Sequence, residues 1–384
     1  MSCNIRNQTG SALLVVLMLV FMLSLLGIAA IDTSNVAVDL SFNRSHSDET
    51  FYIAEAGAKL AFMTIRNNPQ WDTGYTHVAF GSGFYSVNVI DSSDDPALVD
   101  TIIVTSNGSN EYAKSTVRLI LVPLPFHPFR TALFGDSCVD IRNSMSTDSY
   151  NSDSGSYVTT VTDDGGDVGS NGIIDIKNGA VINGDVTTSL ADGAIVNPGS
   201  IVTGTVTTDA AEQHLPAVMP EDLNVAEATS IAGTGISGDY TYNATTKTFR
   251  SDGNCTLASG VYYFTDLVLD NSASLSLEPG AEVVIYVEGD IEIKNSGGIN
   301  DGGVPENLLI FSTGDLVLKN SGNLYGVFYS PEATCDLRNS GSFFGAVVAR
   351  NIIGHSSASF HYDRNLGNIT KGTADIGMIG WKEL

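Results

Sequence analysis

Residues 11–66 divide into an apolar half and an amphipathic half. From Ala12 to Ile31 no residue is charged, and about 20 apolar residues at ~1.5 Å of rise each match the ~30 Å hydrocarbon core of a bilayer. After Asp32, apolar residues recur at steps of three and four, the spacing of an amphipathic helix. They are Phe51, Ala54, Ala58, Ala61, Phe62 and Ile65. We therefore predict one helix over 11–66, with a transmembrane part over 12–31.

The charges beside the apolar half predict its orientation. Arg6 precedes it, whereas Asp32 and Asp39 follow it, so the positive-inside rule places the N-terminus in the cytoplasm and the rest of the chain outside. A cleaved signal peptide is one alternative, because the small residues around Gly27 suit a product that starts near Ala30. The apolar stretch is longer than the ~7–15 residues of a signal core, however. A permanent anchor is the second alternative.

Residues 67–125 predict a small antiparallel β region. Alternating apolar and polar residues indicate strands over 84–90, 100–106 and 113–122, and Asn-Gly-Ser at 107–109 is typical of a hairpin turn. The segment 122–129 contains three prolines, which indicates a stiff boundary to the next domain.

The region 126–366 repeats one phrase: apolar, any residue, apolar, basic, Asn, Ser, Gly. The asparagines of these phrases are Asn143, Asn178, Asn271, Asn295, Asn320 and Asn339. From Asn271 onward they are 24, 25 and 19 residues apart, the length of one β-solenoid coil. Asn tolerates the left-handed backbone of a corner and forms amide ladders between coils. We predict a mainly β fold with a parallel β-helix over 126–366 and a C-terminal tail over 367–384.

Composition narrows the function classes. The chain carries 18 Lys and Arg against 43 Asp and Glu, a formal charge of −25. This charge argues against a nucleic-acid partner, because phosphates require a basic surface.

The N-terminus resembles a type IV prepilin. The leader "MSCNIRNQTG" and the following "SALLVVLMLV" have the prepilin form, and "YIAEAG" at 52–57 resembles the segment found in PilX-type minor pilins. This resemblance implies cleavage after Gly10 by prepilin peptidase and methylation of Ser11. It also implies a single-pass inner-membrane protein that later reaches the pilus and cell surface. The implied partners are other major and minor pilins, through the N-terminal helix, and the inner-membrane assembly platform.

Two positions depart from the pattern of major pilins. Val15 stands where major pilins have Glu as the fifth mature residue, and Ser11 stands where Phe is usual. The departures favour a minor subunit of a pilus or of a type II secretion pseudopilus. The region 126–366 resembles the right-handed β-helix domain appended to PilX-like proteins.

Several residues outside the helix are candidates for a metal site, a catalytic site, a cap or a disulfide. Residues 167–175 loosely resemble a calcium loop, and weak calcium binding is open for Asp148, Asp153, Asp163, Asp164 and Asp167. Asp163–Asp164 with Gly354–His355 resembles the pair used by β-helix hydrolases, but His355 occupies the corner slot of Arg338 and Lys319. His361, Tyr362 and Asp363 look like a cap. Cys138, Cys255 and Cys335 face the exported side, and their pairing is left open.

We expect a structural and binding protein with no catalytic residue, metal or cofactor. It would assist pilus assembly and display the β-helix for surface or adhesive contacts, with a ligand that the sequence does not identify. A secreted carbohydrate-active β-helix enzyme and a surface adhesin unconnected to a pilus are the alternatives.

Overall fold

The computed structural model describes residues 9–68, 71–98, 101–124, 127–294, 297–319, 321–338, 341–355, 357–369 and 375–384. The chain forms two compact units. Unit 1 comprises residues 1–123 together with 376–384, and unit 2 comprises residues 124–375. Unit 2 is therefore inserted between two segments of unit 1.

Unit 1 consists of one long helix and a five-stranded antiparallel sheet. Helix α1 spans Thr9–Asn67, so the long helix predicted over 11–66 is confirmed. The strands lie in the order β1, β2, β3, β4, β28. Their bounds are β1 Tyr75–Phe80, β2 Gly83–Ile90, β3 Ile102–Ser109, β4 Lys114–Leu124 and β28 Asp375–Glu383.

Small residues bring α1 close to the sheet. Ala54, Ala58 and Ala61 are at most 1% exposed. A Cβ added to Gly57 would lie 2.6 Å from Ser106 Oγ, and one added to Gly108 of β3 would lie 2.3 Å from the Thr50 carbonyl oxygen. The "AEAG" segment thus allows the helix backbone to approach β3 nearly to van der Waals contact.

Three details of unit 1 differ from the sequence interpretation, and the first is strand β1, which was not among the predicted strands. Asn107–Ser109 continues β3, and the turn falls at 110–113 because the Asn110 side chain accepts hydrogen bonds from the amides of Tyr112 and Ala113, at 2.9 and 2.8 Å. The C-terminal residues expected to form a tail instead supply β28, whose Ile376 is 3% exposed in the core of unit 1.

Unit 2 is almost entirely β, with two α-helices and two 3₁₀ turns, η1 and η2, among its described residues. Its first part contains β5 Leu133–Ile141, β6 Ser146–Tyr150, α2 Tyr157–Thr160, β7 Val168–Ser170, β8 Ile173–Ile176, β9 Val181–Ile182, β10 Val186–Thr188, β11 Ala194–Val196, β12 Ile201–Val202, β13 Val206–Thr207 and α3 Pro220–Thr229. Its second part contains β14 Ile236–Gly238, β15 Thr241–Asn243, β16 Thr248–Ser251, β17 Asn254–Leu257, β18 Gly260–Phe264, β19 Asp266–Leu269, β20 Ser274–Leu277, β21 Val283–Val287, β22 Ile291–Lys294, η1 Pro305–Asn307, β23 Leu308–Ser312, β24 Leu316–Lys319, β25 Leu324–Leu337, β26 Phe343–Gly354, β27 Ser359–Asp363 and η2 Arg364–Asn368.

Parallel pairings stack these strands in three series, which we call sides A, B and C. Side A runs β18, β21, β23, β25, β26, β5, β7, β10, β13. Side B runs β16, β19, β22, β24, β25, β26, β5, β8, β11. Side C begins with β17 and β20 and ends with β26, β27, β6, β9 and β12. One apolar column fills the space inside.

The stacking does not follow chain order. The last coil, over 343–363, lies beside β5 and β6 near the start of the unit: Ile352 is registered with Val139, and Phe360 with Thr147. From there the stack continues through β7–β13. The chain therefore enters and leaves unit 2 in the middle of the stack, where the Tyr362 hydroxyl donates to the Phe129 carbonyl oxygen at 2.7 Å.

A return segment over 208–235, which contains α3, joins the two ends of the stack along side A. Asn171 Nδ2 donates to the Gln213 carbonyl oxygen at 2.7 Å near one end. Tyr329 Oη contacts the Pro216 carbonyl oxygen in the middle, and the Tyr263 amide donates to Ser230 Oγ at 3.0 Å near the other end. Three outward aromatic residues of side A, Tyr263, Phe311 and Tyr329, are consequently at most 6% exposed.

Candidate functional site

The first candidate site is the apolar half of α1. Gly10 and Ser11 lie at the start of this helix, and Arg6 lies outside the described residues. Val15 is 60% exposed, and apolar side chains around the whole helix circumference are similarly exposed from Leu13 to Ile31. The helix is long and apolar enough to cross a membrane. Such a surface suits a bilayer or neighbouring helices, and not water.

The second candidate site is the corner at the end of side B. Asn143, Asn178 and Asn271 all adopt left-handed backbone, with φ of 58°, 58° and 55°. Asn178 Nδ2 donates to Asn143 Oδ1 at 3.3 Å, and Asn143 Nδ2 donates to the His355 carbonyl oxygen at 2.6 Å. The described asparagines therefore occupy corners, and two of them form an amide ladder. Three further residues of the predicted ladder, Asn295, Asn320 and Asn339, lie outside the described residues.

Replacing Asn178 with valine is expected to lower the free energy of unfolding of unit 2 by about 1–2 kcal/mol, because a β-branched residue is strained in left-handed backbone. Asn178→Gly is the matched control, since it removes the amide bond but accepts the backbone, and should cost less. Urea unfolding followed by far-UV circular dichroism measures both. Equal losses would assign the effect to the amide bond alone.

Next to the corner, side B presents a charged face. Cations occupy one row of outward positions, and carboxylates occupy many positions of the neighbouring row, two residues earlier in each coil. The cationic row is Lys294, Lys319, Arg338, His355, Arg142 and Lys177 in stack order, and the carboxylates are Glu292, Asp336, Asp140 and Asp175.

Most of these charges are paired with each other. Lys177 Nζ lies 3.0 Å from Asp140 Oδ1 and 2.6 Å from Asp175 Oδ2. Arg338 Nη2 lies 2.6 Å from Asp336 Oδ2, and His355 Nε2 lies 3.3 Å from Asp336 Oδ1. Within the part of the chain that the structure describes, Lys319 makes no ion pair. Exposed pairs of this kind contribute about 0–1 kcal/mol each, so the face is polar and ordered without being a major source of stability.

The pKa of the Asp140 carboxyl depends on two opposing effects, burial and the neighbouring cations. Burial would raise the pKa of the Asp140 carboxyl, but hydrogen bonds and charge from Arg142 and Lys177 outweigh it and hold the pKa below its ordinary value. Asp140 is therefore ionised at neutral pH and keeps two cations in place.

At one end of side B lies an open cleft of about 540 Å³. Its carboxylates are Asp266, Asp290 and Glu292, and Arg250 and Phe249 also line it. Asp290 Oδ1 accepts the Asp315 amide of the next coil at 3.0 Å, so this carboxylate holds neighbouring coils together.

The described residues of the calcium interpretation do not form a metal-binding group. Asp167 Oδ1 accepts the Asp185 amide at 2.7 Å, and Asp148 bonds to Tyr157 and His361, at 2.8 and 2.6 Å. Asp153, Asp163 and Asp164 lie in the loop that follows β6. Across the described ranges, no three His, Cys, Asp or Glu side chains are placed to hold a metal ion.

His355 of the hydrolase interpretation belongs to the charged face, and the residues of the cap interpretation lie at the coil junction. His355 pairs with Asp336 in the row of Arg338, as its position in the repeat predicts. His361 is 7% exposed and stacks between Tyr157 and Phe344, with ring centroids 4.1 and 4.6 Å away. Asp363 is fully buried and accepts the amides of Ser152 and Asn365. This cluster fastens the last coil to β6.

Cys138, Cys255 and Cys335 are free thiols. Burial raises the pKa of Cys335 and of Cys255, which makes both poor nucleophiles. Cys138 Sγ contacts Asn351 Oδ1 at 3.3 Å across the coil junction.

The sequence reasoning missed the carboxylate row. Asp140, Asp175, Glu292 and Asp336 all fall at the unspecified position of the repeated phrase, two residues before the cation. Asking which residue types recur at that position would have found them. The return segment carried no repeat and gave no comparable signal.

Two family models match the chain. The PilX N-terminal model matches residues 9–59, and a domain of unknown function, DUF7305, matches residues 224–369. The second range begins within α3 and covers the part of the stack that follows chain order. A search of curated proteins gives no match.

Solved structures give two distant likenesses. One is the competence-associated pilin ComZ from Thermus thermophilus, with 12% identity, 88% of this chain and 98% of that chain covered, and a TM-score of 0.31. The other is an ice-binding protein from the Antarctic ascomycete Antarctomyces psychrotrophicus, with 14% identity, 62% and 97% covered, and a TM-score of 0.34. At these TM-scores neither likeness bears on the fold or function of this chain.

The PilX match covers the apolar half of α1 and most of its packed half, including the "AEAG" segment. The exposed apolar surface of the first half and the small residues of the second are what such a segment requires. Over residues 9–59 the chain is therefore similar to the N-terminal segment of PilX-type pilins.

Proposed function

We propose that the chain is a minor pilin, cleaved after Gly10 and methylated on Ser11. The observation that carries this proposal is the PilX match over 9–59, on a helix whose first half exposes apolar side chains on every side. That half crosses the inner membrane with the N-terminus in the cytoplasm, where prepilin peptidase acts. After extraction by the assembly platform, the same surface packs against the helices of other pilins. Val15 in place of Glu favours a minor position over a repeating one.

Unit 2 is, in this proposal, a single right-handed β-helix displayed on the pilus and cell surface. Its three series of parallel pairings and its corner asparagines support the assignment. The charged face of side B, with carboxylates beside cations in most of its coils, is the candidate contact surface for polar ligands or glycans. The role is structural and binding, with no chemistry, metal or cofactor of its own.

Two substitutions in α1 distinguish the pilin from a secreted protein. Gly10→Val removes the residue required by prepilin peptidase, so the unprocessed chain is expected to accumulate in the inner membrane and to be missing from sheared pili. Gly27→Val is the matched control, because an added side chain meets nothing within 4 Å there. It should be processed as the unsubstituted chain is.

The reverse pattern would overturn the proposal. Gly27 lies in the small-residue stretch that a signal peptidase would read. Normal release of Gly10→Val, with Gly27→Val retained, would indicate a cleaved signal and favour the secreted enzyme. Retention of both variants and of the unsubstituted chain with its leader would indicate a permanent anchor.

A further inference from the structure

One end of the unit 2 stack is open. Its terminal coil consists of β11, β12 and β13, which are registered with β8, β9 and β10 of the preceding coil. The amides of Asn197, Ile201 and Thr203 all donate towards that coil. No parallel strand in the described part of the chain pairs with the outer side of these three strands, so their outward backbone groups form an unpaired edge.

The apolar column is exposed at this end. On side B the inward residues Ile141 and Ile176 are fully buried, but Val196 above them is 40% exposed. On side A, Val186 is fully buried, but Val206 above it is 48% exposed. The core of the stack thus continues to its last coil, and none of the described residues caps it there.

The opposite end is closed by elements of the chain itself. Strand β14 pairs antiparallel with β17, and β15 pairs antiparallel with β16. Tyr240 stacks on Phe249 with a centroid distance of 5.9 Å, and Phe249 and Cys255 of the first coil are each 1% exposed. Stacked-repeat folds require such caps for solubility. Because the described part of the chain caps only one end of this stack, we expect a partner to cover the open end.

The charge at the open end restricts that partner. From Gly193 to Thr208 the chain has no ionisable residue, although the whole chain carries −25. A basic partner would find nothing to pair with on this coil, whereas an identical coil can approach it without like charges within the strands. The partner must also offer three strand edges at the same mutual spacing, and the end of a second stack has them.

We propose that the open end binds the open end of a second copy of this chain. A two-fold axis perpendicular to the stack would place the strand edges antiparallel to each other, an allowed pairing, and would close the apolar column between the copies. Val196, Val202 and Val206 lie at the centre of the contact, and Ile195 and Ile201 at its rim. This inference does not depend on processing at Gly10.

The test is the mass of the full-length chain in detergent, measured by sedimentation velocity across a range of protein concentrations. The unsubstituted chain is expected to form dimers. Val196→Asp and Val206→Asp place a charge in the contact and should weaken dimerisation at least 100-fold. Val225→Asp, on the 63% exposed Val225 of α3, is the matched control and should dimerise normally.

A milder variant and a measurement of β content distinguish a lost contact from misfolding. The milder Val206→Thr keeps the side-chain shape, so it guards against misfolding and should weaken dimerisation about tenfold. Far-UV circular dichroism must show the same β content in every variant. A monomeric unsubstituted chain would overturn the proposal and leave the end to another occupant. Dimers equally strong in all four variants would place the contact elsewhere, for example on α1.

Discussion

Replacing Gly108 with valine is expected to abolish the packing of α1 on the sheet of unit 1. A Cβ at this position would lie 2.3 Å from the Thr50 carbonyl oxygen and 2.5 Å from the Ala54 amide nitrogen. Both are backbone atoms inside a helix, so neither can move aside as a side chain would. Overpacking of a core typically costs 1–3 kcal/mol, and here we expect a loss of at least about 3 kcal/mol in the free energy of unfolding.

Tryptophan fluorescence isolates this effect, because the two tryptophans, Trp71 and Trp381, both belong to unit 1. In urea titrations of the detergent-solubilised chain, the fluorescence transition of Gly108→Val should move to much lower urea or disappear. Gly27→Val, with nothing within 4 Å of the added side chain, should leave it in place. An unchanged transition in Gly108→Val would show that α1 and β3 are not in close contact.

The second large effect is a new disulfide in Asn351→Cys. Asn351 on β26 is registered with Cys138 on β5, and the Cys138 Sγ to Asn351 Oδ1 distance is 3.3 Å. Neighbouring strands lie about 4.8 Å apart, which suits the Cα separation of a disulfide. Mild oxidation should therefore join two residues that are 213 positions apart in the chain. Closing so long a loop stabilises by about 5 kcal/mol in the chain-entropy description.

The disulfide tests the order of the stack. If coils followed chain order, several coils of ~4.8 Å each would separate the two positions, and no bond would form. Non-reducing electrophoresis and the mass of the oxidised product measure the outcome. Asn351→Cys combined with Cys138→Ser is the control and should stay reduced, since Cys255 and Cys335 are buried. A bond to one of those cysteines, or no bond at all, would contradict the observed register.

The insertion of unit 2 accounts for its unusual coil order. A stack in chain order would have its two ends far apart, whereas an insertion between β4 and β28 requires ends that lie together. Entry at Phe129 and exit at Tyr362, joined by a direct hydrogen bond, meet that requirement. The return segment, with Leu215, Leu223 and Val218 against side A, is the consequence, because the chain must travel back along the stack.

The elements that could be predicted from the sequence are those determined by a local pattern of residues. Helix α1 follows from its spacing of apolar residues, and the strands of the repeats follow from their alternation and their Asn-Ser-Gly corners. The position of β28 could not be predicted in this way, because Ile376 reaches the core of unit 1 only through pairing with distant strands. The pairing of Ile352 with Val139 could not be predicted for the same reason. The repeats have similar sequences, so their residues do not indicate which repeat stacks on which.

At the candidate sites, the sequence predicted which residues adopt a special backbone conformation, but it did not predict which side chains pair with each other. The left-handed asparagines were predictable, since few other residues accept that backbone. The pairing of Asp140 with Lys177 was not, because it crosses between coils. Likewise, Asp148 and His361 look like separate polar residues until the coil junction brings them within 2.6 Å.

The most direct test of the proposed pilin function is the N-terminal mass of the protein recovered from its native cells. A mature chain that begins at Ser11, carrying one methyl group, is the expected result. A chain that begins near Ala30 would contradict it, because the apolar half of α1 would then have been discarded and could not hold the protein in a pilus.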